Sequence, residues 1–117
     1  MTTDQPTCIV HKFGGTSVAD AQCFRQVARI VDQRPEQRRL IVVSAMAGIT
    51  DQLVKAVHVA GKMDLGYREI MTAVGERHRR TIAELLPADV AGQLCDTLSR
   101  DLAIIEEVLH VTTVLHG

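Results

Sequence analysis

A chain of 117 residues, 46% hydrophobic and 23% charged, is long enough for one domain and has the make-up of a folded polypeptide rather than a disordered one. Thirteen basic residues against fourteen acidic ones leave no basic footprint for nucleic acid and no polybasic patch for a membrane surface. Three cysteines, Cys8, Cys23 and Cys95, are an odd count without a C-x-x-C pair, which excludes a disulfide framework and a zinc site and points to the reducing cytoplasm.

Residues 1–7 are polar, lack the cationic start and apolar run of a signal peptide, and are expected to form a disordered tail. Cys8 to Phe13 reads as a short buried strand stopped by Gly14-Gly15. Ser17 and Asp20 form an S-x-x-D start signal for a helix whose apolar face carries Phe24, Val27, Ala28 and Val31, with Pro35 ending it. Leu40-Ile41-Val42-Val43 is a continuous apolar run of the kind found in strands covered on both faces of a parallel sheet. The order strand, helix, strand predicts a βαβ unit. Ser44 to Gly48 is a small-residue loop, after which Thr50 is placed to cap a helix running to about Lys62, with Ile49 and Val54 as a hydrophobic staple.

Beyond this point the pattern becomes wholly helical. Tyr67, Ile70, Met71, Val74, His78, Ile82 and Leu85 share one face, Pro87 breaks the pattern, and Asp89 is placed to cap a restart. Leu94, Leu98, Leu102, Ile105 and Leu109 form a second stripe. Residues 65–115 therefore predict a long helical hairpin. Two parallel strands with four helices leave strand edges uncovered, so the chain is expected either to oligomerise or to continue in a longer protein. The ending Val114-Leu115-His116-Gly117, just after an apolar stripe, favours the second.

Two loops could carry chemistry. Glycines directly after a strand let backbone approach a phosphate without a Cβ in the way. A following helix N-terminus offers unpaired N–H groups. Lys12 adds a positive charge, and Thr16 and Ser17 add hydroxyls. These are parts for stabilising a transferring phosphoryl group. The spacing is neither a Walker A loop nor G-x-G-x-x-G. A second reading stands beside this one: two glycines simply making a strand-to-helix turn. Ser44 to Thr50 follows the second strand, so both loops should open at the carboxyl edge of one sheet, where open α/β folds bind ligands. Ser44 and Thr50 could equally satisfy only local backbone groups.

The run Lys-Phe-Gly-Gly-Thr-Ser-Val-Ala-Asp at 12–20, followed by Val-Val-Ser-Ala-Met-Ala-Gly-Ile-Thr-Asp-Gln-Leu at 42–53, resembles the start of aspartate kinases, members of the amino-acid kinase superfamily. Related glutamate, acetylglutamate and uridylate kinases tend to open with Lys-x-Gly-Gly-Ser instead. The resemblance implies an α/β fold, the N-terminal part of a Rossmann-like parallel-sheet kinase domain, with two parallel strands and a long helical hairpin making it mostly helical. It implies transfer of the ATP γ-phosphate, with Mg2+, to the β-carboxylate of L-aspartate, giving 4-phosphoaspartate toward lysine, threonine and methionine. By the same carry-over Lys12 is catalytic. Lys12, Gly14, Gly15, Thr16, Ser17 and Ser44 bind ATP phosphate, and Ser44 and Thr50 bind aspartate. Met46 stands where some members have Ser. Residues 8–62 would form the phosphate and substrate-loop unit. Residues 63–117 would form a helical insertion of the kind seen in some aspartate kinases, including forms fused to homoserine dehydrogenase, to which residues 105–110 are similar.

The family's next motif, a Gly-Glu pair whose Glu contacts aspartate, has no counterpart in the right setting. Gly75-Glu76 lies mid-helix, and Glu76 reads as a solvated charge. The chain on its own is therefore expected to be inactive. The partners expected are L-aspartate, ATP and further copies of the chain, with neither nucleic acid nor membrane. A non-catalytic helical oligomerisation module, or a kinase with a glutamate-type acceptor, is the alternative. His78 and His110 read as packed core histidines, Arg77, Arg79 and Arg80 as a solvated face, and Arg38-Arg39 as edge charge.

Overall fold

A computed structural model describes residues 8–34 and 38–115. Two strands, β1 (Cys8–Phe13) and β2 (Arg38–Val43), pair in parallel, with Lys12 opposite Val42 and Phe13 opposite Val43. Between them lie a short 3-10 turn, Gly15–Val18, and helix α1 (Ala21–Asp32). Helices α2 (Ile49–Gly61), α3 (Tyr67–Leu85) and α4 (Ala88–Leu115) follow. The chain divides into two compact units, one up to Ala47 and one from Gly48. In the second unit α2 packs against both α3 and α4. The expected tail, residues 1–7, and Pro35 lie outside the described residues.

In the first unit Val18, Ala21, Val31 and Met46 are buried. Asp20, not Ser17, caps α1: its carboxylate accepts from the Cys23 backbone N–H at 2.9 Å, while Ser17 sits inside the 3-10 turn. A carboxylate at this place satisfies an orphan donor and meets the positive end of the helix dipole. Arg39 is more than edge charge. Its Nη1 donates to the carbonyl of Val31 at 3.0 Å, closing the C-terminal end of α1.

The strands depart from their expected burial. In β1 the face of Ile9, His11 and Phe13 is half-buried, whereas Cys8, Val10 and Lys12 are exposed. Every residue of β2 is exposed, Leu40 at 54%. A two-stranded sheet offers no neighbours to cover a strand built for burial on both sides.

In the second unit the predicted stripes are present. Tyr67, Met71 and Val74 on α3 and Leu102 and Leu109 on α4 are buried, while Ile70, Ile82, Leu85, Leu98 and Ile105 are half-buried beside them. Leu94 is exposed. Gly75 permits the close approach of α3 and α4, because a Cβ there would lie 3.0 Å from the Leu102 Cδ1. His78 is half-buried with Nδ1 2.7 Å from the Val74 carbonyl, as a packed histidine should be, but His110 is exposed.

Helix starts were the least accurate expectation. Thr50 does not cap α2. Gly48 holds the cap position at φ 81°, without a side-chain cap, and Thr50 falls in the first turn. Val54 is exposed, so no staple forms with the buried Ile49. Asp89 likewise lies inside the first turn of α4, and Pro87 supplies the first carbonyl, accepting from Ala91 N–H at 2.8 Å. Proline suits this place because its missing N–H would have had no partner there.

Candidate functional site: the paired loops at the carboxyl edge of the sheet

Both parallel strands end at the same edge, where the Ser44 N–H donates to the Phe13 carbonyl at 3.1 Å. The two loops therefore start side by side. They meet at Gly15, where a Cβ would lie at ordinary contact distance, 3.4 Å from the Ala45 carbonyl oxygen and 3.5 Å from the Ser44 Oγ. The Ser44 hydroxyl donates to the Ala45 carbonyl at 2.9 Å. Lys12 is exposed at the last-but-one position of β1, so its ammonium is free to reach an anion at this edge.

Gly14 differs from Gly15. Its backbone, φ −76° and ψ 177°, is one that any residue adopts, and no described atom beyond its two chain neighbours comes within 4 Å of where its Cβ would be. Neither conformation nor packing within the described residues requires glycine there. The Ser17 N–H closes the turn on the Gly14 carbonyl at 3.0 Å. At the α1 N-terminus the Asp20 carboxylate takes the Cys23 N–H, one of the donors there. What remains at the edge is the Gly14-Gly15 backbone, the Thr16 and Ser17 hydroxyls, Ser44 and Lys12.

Phe13 and Ser17 also line a cavity of about 130 Å³ with Cys23, Gln26, Val27 and Ile30 of α1. On the same strand face the His11 ring stacks on Phe13 at 6.2 Å, and its Nε2 is buried without a hydrogen-bond partner among the described residues. Sequence reasoning missed both the burial of Met46 in the second loop and the stacking of His11. Strict alternation along β1 would have put Ile9, His11 and Phe13 on one face. Thr50 belongs to the second unit, at the start of α2.

Among the described residues no group of three or more His, Cys, Asp or Glu side chains is placed to hold a metal ion. They offer no ready cage for the Mg2+ that the resemblance implies. No described helix is long and apolar enough to cross a membrane.

Comparison with known proteins gives the same answer as the motifs. The amino acid kinase family matches residues 7–112. A bifunctional aspartokinase/homoserine dehydrogenase of Daucus carota is 35% identical over 100 residues, covering 86% of this chain and 11% of that protein. The bifunctional aspartokinase/homoserine dehydrogenase 2 of Escherichia coli is 30% identical over the same length, covering 86% and 12%. The crystal structure of E. coli aspartokinase III in complex with aspartate and ADP superimposes with a TM-score of 0.79 at 29% identity, covering 95% of this chain and 24% of that one. Its complex with lysine and aspartate gives a TM-score of 0.77. The chain spans about a tenth of the length of the curated relatives it matches. Its two parallel strands and dominant helices match the N-terminal part of the aspartokinase fold, as the motifs at 12–20 and 42–53 led us to expect. On the match across residues 7–112, this chain belongs to the amino acid kinase family.

Proposed function

We propose that this chain supplies the phosphate side of the active site of an aspartate kinase, which transfers the γ-phosphate of ATP to the β-carboxylate of L-aspartate. In this reaction a carboxylate oxygen bonds to the γ-phosphorus while the bond from that phosphorus to the bridging oxygen of ADP breaks. The products are ADP and 4-phospho-L-aspartate, an acyl phosphate on the way to lysine, threonine and methionine. Lys12 neutralises charge on the transferring group. Gly14 and Gly15 present backbone to it, Thr16, Ser17 and Ser44 offer hydroxyls, and Ser44 also contacts the aspartate. Fixed charge and dipoles aimed at the transferring group are the main source of catalysis in phosphoryl transfer.

The observation that carries this reading is Gly14. Nothing described in the fold needs a glycine there, yet its bare backbone opens at the edge where Gly15 meets the Ser44 loop. The solved relatives add support, since one of them is bound to aspartate and ADP. The segment to about residue 62 serves as the phosphate and substrate-loop portion, and residues 63–117 as a helical insertion like that of the bifunctional enzymes. The 117 residues alone are inactive on this reading, because Glu76, in the one Gly-Glu pair of the sequence, is exposed on α3 and unsuited to hold the substrate. Cys8, Cys23 and Cys95 are free thiols, which suits a reducing compartment such as the cytoplasm.

The test is ADP release coupled to a reporter, with the protein extended to the length of its relatives and with aspartate, glutamate and acetylglutamate compared as acceptors. Aspartate is expected to be preferred by orders of magnitude. Preference for glutamate would move the chain to a sister activity.

A further inference from the structure

In the second unit a cavity of about 440 Å³ opens between the start of α3 and the later part of α4, lined by Tyr67, Arg68 and Thr72 on one helix and Glu106, Glu107 and His110 on the other. Its two walls carry opposite charge. Arg68 stands on the α3 side, where the helix N-terminus adds the positive end of its dipole. Two carboxylates stand on the α4 side. Among the described residues neither Glu106 nor Glu107 forms an ion pair with Arg68, whose guanidinium lies 5.9 Å from the centre of the Tyr67 ring. Tyr67 itself is 2% exposed, and its side chain has no hydrogen-bond partner among the described residues. Enclosing a hydroxyl without a partner is costly, so a group in this position points to a molecule that enters the cavity and pairs with it. The wall chemistry narrows what that molecule is. A phosphate or nucleotide would meet two carboxylates, and a polyamine would meet Arg68. Glu106, Glu107 and His110 are not placed together as a metal-binding group. Facing charges that do not pair with each other match a ligand that carries both an ammonium and a carboxylate.

We propose that this cavity binds a free α-amino acid. The carboxylate of the ligand takes the planar donor fork of Arg68, a geometry that an arginine offers and a lysine does not. The Tyr67 hydroxyl donates to the same carboxylate. The ammonium goes to Glu106 and Glu107. Thr72 Oγ1 donates to the Arg68 carbonyl at 2.9 Å and keeps a lone pair with which to accept from that ammonium. The volume lies in the range of small-molecule sites and leaves space for a side chain beyond the two charged groups. Recognition requires both ends at once. A ligand that lacks either charge leaves one wall desolvated without a partner, so the site discriminates against amines and carboxylic acids alone. The inference uses only α3 and α4 and does not rest on the kinase reading.

The test is a titration of the isotope-labelled 117-residue chain with the standard L-amino acids, added singly and followed by backbone amide NMR shifts. At least one is expected to give saturable shifts centred on residues 67–72 and 106–110. Its N-acetyl and carboxamide forms, each lacking one charge, should bind at least tenfold more weakly. Arg68→Gln should weaken binding at least tenfold, as should Glu106→Gln combined with Glu107→Gln. These three side chains are exposed, so their exchange leaves the helices intact, which circular dichroism checks. Tyr67→Phe removes the hydroxyl alone and should weaken binding by about threefold or more. No saturable shift at these residues with any amino acid overturns the proposal, as does equal binding of the blocked forms or indifference to Arg68→Gln. The amino acid that binds is then followed by equilibrium dialysis against the protein extended to the length of its relatives. There Arg68→Gln should remove one bound molecule per chain. An unchanged stoichiometry means that the rest of the polypeptide fills the cavity, and the proposal fails. Loss of ADP release with this binding intact would count against the kinase reading alone.

Discussion

Two glycines one residue apart do different work. Gly15 abuts the Ser44 loop, but the 3.4 Å and 3.5 Å approaches are ordinary van der Waals contacts, so a methyl group fits. At Gly14 a methyl meets nothing described beyond its two chain neighbours. Gly14→Ala should therefore leave the unfolding free energy within about 0.5 kcal/mol of the parent while turnover of the extended enzyme falls sharply. Unchanged turnover would return the turn to its structural reading. Lys12→Ala should lower kcat by roughly 10²–10³-fold with aspartate binding much less affected, since it removes charge stabilisation in the transition state. Gly48 is different again: at φ 81° an L side chain is strained. Gly48→Ala should cost about 1 kcal/mol in chemical denaturation, without a direct effect on phosphate contacts. The turn after β1 was legible because two glycines stop a strand, and β1 ends at Phe13 just before them; the phosphate roles at 12–20 rest on the resemblance. That Gly48 and not Thr50 occupies the α2 cap position was not legible, because a cap is decided by backbone angles that several residues near a loop can compete to supply.

At the scale of elements, periodicity carried nearly everything that was right. The α3 face from Tyr67 to Leu85 and the α4 stripe through Leu102 and Leu109 are where the 3.6-residue repeat places them. Met71, 1% exposed, anchors the second unit, and Met71→Ala should destabilise it by about 3 kcal/mol. Gly75→Val should cost about 2 kcal/mol, because a branched side chain must displace Leu102 at 3.0 Å, and the loss would read out as a lower Tm. Two features escaped the pattern. Arg39 gave no sign in the sequence that it would reach back to the Val31 carbonyl, because that contact depends on where the chain returns after α1. The exposed apolar residues of α4, Ile104, Val108 and Val111 among them, were hidden by the inner stripe: a helix apolar on both sides shows a weak preference for either.

At the scale of the whole molecule, the uncovered β2 and the exposed Leu94, Ile104, Val108 and Val111 of α4 describe a polypeptide that does not bury everything its sequence prepared for burial. The run Leu40 to Val43 promised a strand covered on both faces, and a two-stranded sheet cannot provide that. Matching the N-terminal part of a larger kinase fold accounts for the mismatch, since in that fold further strands and helices are available. The phosphate reading places this chain's loops in a catalytic centre that needs such further elements for its acidic aspartate ligand and most of its nucleotide site. The most direct measurement is acceptor-dependent ADP release by the extended protein carrying Gly14→Ala, set beside the parent. The account predicts rapid release with aspartate alone among the acceptors, and a large loss on Gly14→Ala with stability unchanged. Release independent of aspartate, or undiminished by the added methyl group, would contradict it.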